Sequence, residues 1–381
     1  MKMKKFIAML LAGTMALGLA ACGGSSAPAE SKAEEGGDMR VAMITDYGDI
    51  TDQSFNQTTY EACKAFCEAN KIDFTYYKPE GDSDAEREAM IDKAVSDGYN
   101  VVVMPGYAFA NAIYNEAPMY ENVKFVALDV SEGDLTNYGE REFDGPNVFS
   151  AVYQEELAGY MAGVAAVKLG YKKLGFLGGM AVPAVIRYGY GFVQGADAAA
   201  AELGVDDVEI KYAYGNQFYG DADITAAMDT WYSGGTEVVF ACGGGIFTSA
   251  CEAAEKTGGK VIGVDVDQQG KIDGDYEDGM CVTSAMKGLA ATVNTVLAAI
   301  QDDKWADYSG KVETLGLVGE DPAANYVQLA ETTAFNDGFT EDDYKALVAA
   351  MFNGEIEVSN DTEAEQPSAE NVKIDFQGNL K

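Results

Sequence analysis

The chain has 381 residues, 48% of them hydrophobic, and its 62 acidic against 26 basic side chains give a formal charge of −36. So acidic a surface is repelled by nucleic-acid phosphates and by anionic lipid headgroups, which disfavours nucleic acid, so that no nucleic-acid partner is expected, and favours a neutral ligand over a highly anionic one such as a nucleotide. The chain has no histidine, so catalysis through Ser-His-Asp or Cys-His is excluded as well.

Residues 1–5 are basic, residues 6–21 are apolar, and Leu19-Ala20-Ala21-Cys22 closes the segment. That order reads as a secretory signal peptide over 1–21. A cysteine directly after Leu-Ala-Ala resembles the bacterial lipobox, in which Cys22 becomes the acylated first residue, palmitate included, and holds the protein on the outer side of the cytoplasmic membrane. The alternative is an ordinary signal with a chance cysteine. Residues 22–38 (CGGSSAPAESKAEEGGD) read as a flexible tether. The remaining chain is long enough for two lobes with separate cores, and it contains no later apolar run that could span a bilayer.

An apolar strand is expected over 40–46, ending at Asp46, followed by the polar loop YGDITDQSFNQ and a helix over about 58–70. Asp52 or Ser54 could cap that helix. Phe55, an aromatic in a polar loop beyond a strand end, is either a lid on the core or a stacking surface. A strand over 74–77, a helix over 85–97 and a strand over 101–104 follow. Residues 101–130 then read strand, glycine turn opening at Gly106, alanine-rich helix and strand ending at Asp129. The segment 131–146 reads as a crossing between lobes. Residues 147–168 read as one helix, with Ala158, Gly159, Ala162 and Gly163 small enough for close packing.

The second half begins with a strand over 173–177, then a loop and helix containing Arg187, a strand over 208–214, and a polar loop carrying Phe218 and Tyr219. After a helix over 224–232, residues 238–268 repeat the earlier motif, with Gly243–Gly245 in the turn and Asp265 at the strand end. Gly106 precedes Asp129 by 23 positions and Gly243 precedes Asp265 by 22. Unalternating apolar runs such as VVF and VIGV fit parallel strands covered on both faces, and ligands of such sheets bind beyond the carboxyl ends of the strands. The two aspartates either grip a ligand between lobes or merely cap helices. A strand over 280–285, Lys287, a helix over 289–301, a last strand over 312–318 and a helix over 341–353 complete the pattern. Lys287 opposes the dipole of the helix it precedes, which points either to a specific acceptor or to a solvated surface position. The stretch 354–381 is acidic and polar and is expected to be an edge segment with disorder.

Besides Cys22 the chain has Cys63, Cys67, Cys242, Cys251 and Cys281, an odd number that makes a poor disulfide framework. Cys63 and Cys67 share a helix face but match no zinc spacing, so buried free thiols are expected and no metal.

The stretches TDYGDITDQSFNQTTYEA, VVVMPGYAFANAI, NVFSAVYQEELAGYMAGVAA, LGFLGGMAVPAVIRYGYGFVQG, CGGGIFTSACEAA, VIGVDVDQ and TSAMKG, in this order over roughly 40–330, resemble the BMP (basic membrane protein) lipoproteins. These are substrate-binding proteins of ABC importers and include purine nucleoside receptors. The family name notwithstanding, this chain is acidic. The resemblance implies an α/β fold of the class I periplasmic binding protein (Venus-flytrap) kind, two Rossmann-like lobes joined by a three-strand hinge. The expected bounds are 39–140 plus 284–312 for the N-terminal lobe, 141–283 plus 313–358 for the C-terminal lobe, and 359–381 for an acidic polar tail. Crossings are expected near 131–146, 280–284 and 308–320.

By position, the resemblance carries ligand contacts onto Asp46, Gln53, Phe55, Asn56, Asp129, Gly243, Gly244, Asp265 and Lys287, with Tyr107 and Phe218 beside them. Phe55 would stack on a base, and Gln53 and Asp129 would bond its edge. Asp46 and Asp265 would accept from ribose hydroxyls, with Lys287 balancing their charge. The family often has Asn where this chain has Gln53. For the second aromatic, Phe218, Phe240 and Phe247 are the candidates. The implied protein is a monomer without cofactor that binds a nucleoside, is held to the membrane through lipid on Cys22, and serves an ABC permease and ATPase. A sugar receptor, a receptor feeding a sensor kinase, and an exported nucleoside hydrolase are the alternatives.

Overall fold

The computed structural model describes residues 38–381, which form one compact unit. The signal peptide, Cys22 and nearly all of the tether lie outside the described residues. Two open sheets organise the chain. The first contains β1 (Arg40–Ile44), β2 (Asp73–Tyr77), β3 (Val101–Pro105), β4 (Lys124–Leu128), β5 (Val148–Tyr153) and β11 (Lys311–Leu315). The second contains β6 (Lys173–Gly178), β7 (Glu209–Tyr214), β8 (Val238–Cys242), β9 (Lys260–Asp265), β10 (Cys281–Lys287), β12 (Val327–Leu329) and β13 (Lys373–Asn379). The first is wholly parallel, and in the second only β12 runs antiparallel.

The repeat read from the sequence is the repeat of the fold. The central orders are β2-β1-β3-β4-β5 and β7-β6-β8-β9-β10, the same winding twice. Residues Val101–Pro105 and Val238–Cys242 are buried throughout, as runs covered by helices on both faces require. Around the first sheet lie α1 (Phe55–Asn70), α2 (Asp84–Ser96), α3 (Ala110–Glu116) and α4 (Glu132–Thr136), and α10 (Leu289–Gln301) returns to pack on α1. The second sheet has α5 (Glu155–Lys168), α6 (Pro183–Leu203), α7 (Ala222–Ser233), α8 (Phe247–Ala254), α9 (Gln269–Asp275) and α11 (Glu341–Phe352). Helices α5 and α6 touch backbone to backbone. A Cβ on Gly159 or Gly163 would overlap the Tyr188 or Phe192 carbonyl, and one on Gly191 or Gly195 would overlap Glu156 or Tyr160. The small residues expected to pack closely do so, and the contact fixes Glu155 and Arg187 relative to one another.

Four sequence expectations are corrected. Residues 147–168 are not one helix: the apolar, aromatic-rich VFSAVY pairs as β5 between β4 and β11, and the helix begins only at Glu155. Residues 131–146 are not a crossing, because a capping box between Ser131 and Asp134 folds α4 back onto the first lobe. The chain crosses at Gln154, at Gly288 and over 316–326, so β5 and β11 belong to the first sheet and all of β10 to the second. These crossings lie side by side: the Gln154 amide donates to the Leu315 carbonyl (3.0 Å), Gly288 to Tyr326 (2.7 Å) and Tyr326 to Gly316 (3.0 Å). Finally, the bound drawn for a polar tail, 359–381, is too wide, because the edge segment expected within 354–381 is present there as a strand. Ile374 and Phe376 alternate with polar residues, and that period places β13 on the open edge of β7.

Candidate functional site

Both sheets aim their carboxyl ends at a cleft of about 660 Å³ between the lobes. All eleven residues singled out as ligand contacts line it, from the loops after β1, β3, β4, β7 and β8, the start of α1 and the last residues of β9 and β10. Asp129 and Asp265, the strand-end aspartates of the two motif copies, both take left-handed backbone angles (φ 62° and 66°). Such angles in non-glycine residues are held only where the surroundings over-determine them.

At the floor, Lys287 Nζ lies 2.6 Å from Asp129 Oδ2, 3.3 Å from Glu155 Oε1 and 3.8 Å from Asp265 Oδ1. Arg187 Nε pairs with the other Glu155 oxygen at 2.7 Å. The specific acceptor that Lys287 called for is therefore this set of carboxylates, drawn from both lobes. Burial alone would depress the Lys287 ammonium, but Asp129, Glu155 and Asp265 outweigh it and hold the lysine charged. Burial pushes the Asp129 carboxyl up to about 6 against the pull of Lys287. Burial also raises Asp265, opposed by Lys287 and Ser54. Glu155 is buried too, yet Arg187 and Lys287 carry it below the usual range.

The loop after β1 crosses to the other lobe. Asp52 caps α1: Oδ1 accepts from the amides of Ser54 (2.9 Å) and Gln57 (3.0 Å), and Oδ2 from that of Asn56 (2.9 Å). Ser54 is thereby free to donate its hydroxyl to Asp265 Oδ2 at 2.6 Å. Gln268 Nε2 donates to the Gln53 carbonyl at 3.0 Å, while the Gln53 side chain reaches only the Thr51 carbonyl at 3.5 Å. Asp46 Oδ1 is taken by the amides of Tyr47 (2.7 Å) and Gly48 (2.8 Å), and burial still raises its carboxyl above the ordinary value. Gly106 beside it takes φ 126°, a backbone angle that favours glycine, and a Cβ there would press on Asp46 Oδ2 at 3.2 Å.

Phe55 is half-buried on the cleft wall with Lys287 Nζ 4.7 Å from its ring centroid, a cation–π distance. Phe218 supplies a half-buried ring from the second lobe, held against Gly179, Gly243 and Gly244. At Gly244 (φ 52°) a Cβ would come within 2.8 Å of the Phe218 carbonyl oxygen. Phe247 lines the cleft from the start of α8. Phe240 does not, because it packs in the core against Phe176, Tyr188 and Phe192. Tyr107 lines the rim.

Sequence reasoning missed Glu155, Tyr188 and Gln268, and assigned Ser54 only as a possible cap. Glu155 and Arg187 carried a signal, as charges within apolar, small-residue helices; Tyr188 carried none. Three buried polar atoms on cleft-lining residues have no partner among the described residues: Asn56 Oδ1, Asp129 Oδ1 and the Tyr188 hydroxyl. Among the described residues no group of three or more His, Cys, Asp or Glu is arranged to hold a metal ion, and no helix is long and apolar enough to cross a membrane.

The family model described as Bmp, ABC transporter substrate-binding protein PnrA-like, matches residues 39–361. The chain is 28% identical over 328 residues to the ABC transporter nucleoside-binding protein BmpA of Lactococcus lactis subsp. cremoris, covering 79% of this chain and 87% of that protein. It is 23% identical over 305 residues to an uncharacterized lipoprotein of Pyrococcus abyssi, covering 78% and 71%. Among solved structures, an ABC transporter solute-binding protein from Aeropyrum pernix K1 superposes with a TM-score of 0.65 at 21% identity, covering 85% of this chain and 88% of that one. At that identity the likeness establishes the shared fold.

Proposed function

The chain belongs to the PnrA-like Bmp family of ABC transporter substrate-binding proteins, and we propose that its solute is a nucleoside, of the purine class, gripped between the lobes and passed to an ABC permease and ATPase. As a member of a family of solute-binding proteins it is not an enzyme, and the exported hydrolase weighed from the sequence is set aside. The observation that carries the nucleoside reading is the meeting of Phe55 with Asp129 and Asp265 around Lys287, an aromatic face beside hydrogen-bonding groups from both lobes. A base stacked on an aromatic ring gains about 1–3 kcal/mol in nucleic-acid systems. Phe55 would take one face of the base and Phe218 the other.

The unpaired Asn56 Oδ1 and Asp129 Oδ1 call for donors such as the N–H groups of a base, and the Tyr188 hydroxyl for one more polar partner. Because the Gln53 side chain turns toward Thr51, Asn56 is better placed than Gln53 for the base edge. Asp46 through Oδ2 and Asp265 would accept from ribose hydroxyls, with Lys287 holding the charge balance. Gly243 and Gly244, having no Cβ, allow close approach to the backbone. The nucleoside-binding name of the Lactococcus relative agrees with this reading. We place the protein on the extracytoplasmic face as a monomer anchored through acylated Cys22, in keeping with the lipoprotein name of the Pyrococcus relative.

The test is thermal unfolding of residues 38–381 with adenosine, guanosine, inosine, cytidine, uridine and ribose. Ligand at a hundred times its Kd adds about 2.7 kcal/mol to stability. A shift with purine nucleosides and none with ribose is expected; no shift with any nucleoside overturns the assignment.

A further inference from the structure

We propose that strand β13 fixes the aromatic wall of the cleft, with Lys381 as the positioning residue for the loop that carries Phe218. The inference rests on the reading above, in which Phe218 faces the ligand. The family match ends at residue 361, so β13 lies outside the matched pattern and its role does not follow from family membership.

The loop 215–221 joins β7 to α7 with a single isolated bridge, from Tyr219 to Gly245, as its regular pairing. On the cleft side the Phe218 carbonyl accepts from the Gly245 amide at 2.9 Å, and its ring rests on Gly179. Away from the cleft, Gln217 Nε2 donates to the Tyr219 carbonyl (2.8 Å) and to Asp221 Oδ2 (2.9 Å), and the Ser249 hydroxyl holds the Asp221 backbone, accepting from its amide (3.0 Å) and donating to its carbonyl (3.1 Å). Asp221 is itself fixed, because its Oδ1 caps α7 by accepting from the amides of Asp223 and Ile224, both at 3.0 Å. Lys381 ties these together. Its ammonium pairs with Asp221 Oδ2 and reaches Gln217 Oε1 at 3.3 Å. The two sides of Phe218 are thus clamped, one by glycines that admit the ring and one by an ion pair.

What makes Lys381 able to position anything is the anchoring of its own strand. Strand β13 pairs with β7 from Lys373–Glu209 to Asn379–Tyr214, and the Leu380 amide donates to the Tyr214 carbonyl at 2.8 Å. Before the strand, Asp197 Oδ1 accepts from the amides of Glu370 (3.0 Å), Asn371 (2.5 Å) and Val372 (3.1 Å). Midway, Trp231 Nε1 donates to Gln377 at 3.1 Å. Lys381 and Asp221 are each 28% exposed in their side chains. A pair that open adds little to global stability, so its loss registers first in the ordering that ligand binding must then supply.

The experiment uses the full chain and titrates adenosine, guanosine and inosine by calorimetry. Lys381→Met is expected to raise the Kd of the bound purine nucleoside about threefold or more, the scale of one partly exposed ion pair, with an unchanged unfolding midpoint of the ligand-free protein. Lys381→Arg should restore the Kd. In a Phe218→Leu background Lys381→Met should change little, since the ring it positions is gone. If the unsubstituted chain binds none of the three, this inference falls together with the nucleoside reading. If it binds, and Lys381→Met leaves the Kd unchanged or weakens binding equally without the Phe218 ring, this inference alone is overturned.

Discussion

Ser54 and Asp265, 211 positions apart, are joined by a 2.6 Å hydrogen bond across the cleft, with Ser54 wholly buried and Asp265 only 5% exposed. The bond exists because Asp52 takes over the capping of α1 and leaves the Ser54 hydroxyl free. Gln268 and Gln53 bridge the same gap alongside it. The closed arrangement is therefore held by bonds within the protein at the very carboxylate proposed to receive the ligand, and ligand binding adds to a latch that is already made.

Ser54→Ala should lower the unfolding free energy of the ligand-free protein by about 2 kcal/mol, the scale of a buried hydrogen bond to a charged group. It should also enlarge the radius of gyration in solution scattering, because the lobes lose a tie. A denaturation midpoint and a scattering profile both indistinguishable from the parent protein would show that the bond latches nothing.

Removing the Lys287 charge should be far more damaging. Its ammonium is 3% exposed and faces Asp129, Glu155 and Asp265. Lys287→Met fills the space but leaves these carboxylates with Arg187 as the remaining base, and breaking a buried pair in this way costs about 3–5 kcal/mol. Urea unfolding reads the loss directly. A cost below about 1 kcal/mol, the range of a surface pair, would contradict the buried geometry.

The carboxyl groups also set a pH dependence with a definite sign. Burial, the largest cause in each, raises Asp129 to about 6, Glu156 to about 7 and Glu116 to about 7. Between the ordinary carboxylate range and these values the folded chain binds more protons than the unfolded chain. Their contribution to stability is complete below about pH 4 and is lost as pH rises through 6 and 7. The urea midpoint of the ligand-free protein should therefore fall from pH 5 to pH 8, and Asp129→Asn should flatten the part centred near 6. Nucleoside affinity should move the other way, weakening below about 6 as Asp129 ceases to accept. A midpoint that rises with pH across this window would refute the assignment.

Cys63, Cys67, Cys242, Cys251 and Cys281 are all buried and unbridged, as expected from their odd number, and burial raises every one of these thiols. Reducing agent should leave the melting temperature unchanged, and a thiol reagent should modify these five only on unfolding. Rapid labelling of the native protein would disprove the burial.

The doubled winding was legible because Gly106–Asp129 and Gly243–Asp265 bracket the same strand–helix–strand unit, and local periodicity records such units. Asp129, Asp265 and Lys287, carried over by resemblance, line the cleft because strand ends of a parallel sheet converge on one side. What was not legible depends on pairing between distant segments. VFSAVY suits a helix or a strand until β4 and β11 are in place, and the crossings at Gln154 and Gly288 are single residues with no composition of their own. Ser54 looked like a cap because it precedes a helix, and only the approach of Asp265 reassigns its hydroxyl. The edge segment expected within 354–381 is β13; the acidic run before it hid where the strand begins, although Ile374 and Phe376 keep a strand's alternation.

The last prediction concerns Asp265 itself. Its Oδ2 already accepts from Ser54, and its Oδ1 stands 3.8 Å from Lys287, too far for a hydrogen bond and open to a donor in the cleft. Asp265→Ala removes that acceptor, the latch and one of the charges that Lys287 balances. Nucleoside affinity should fall at least about tenfold, the equivalent of 1.4 kcal/mol. Asp265→Asn separates the terms. It keeps an oxygen that can accept from Ser54 but presents an amide in place of the second acceptor, so it should retain much of the ligand-free stability while losing affinity. If Asp265→Ala binds nucleosides as tightly as the parent chain, the carboxylate has no part in binding and its left-handed strand end serves the latch alone.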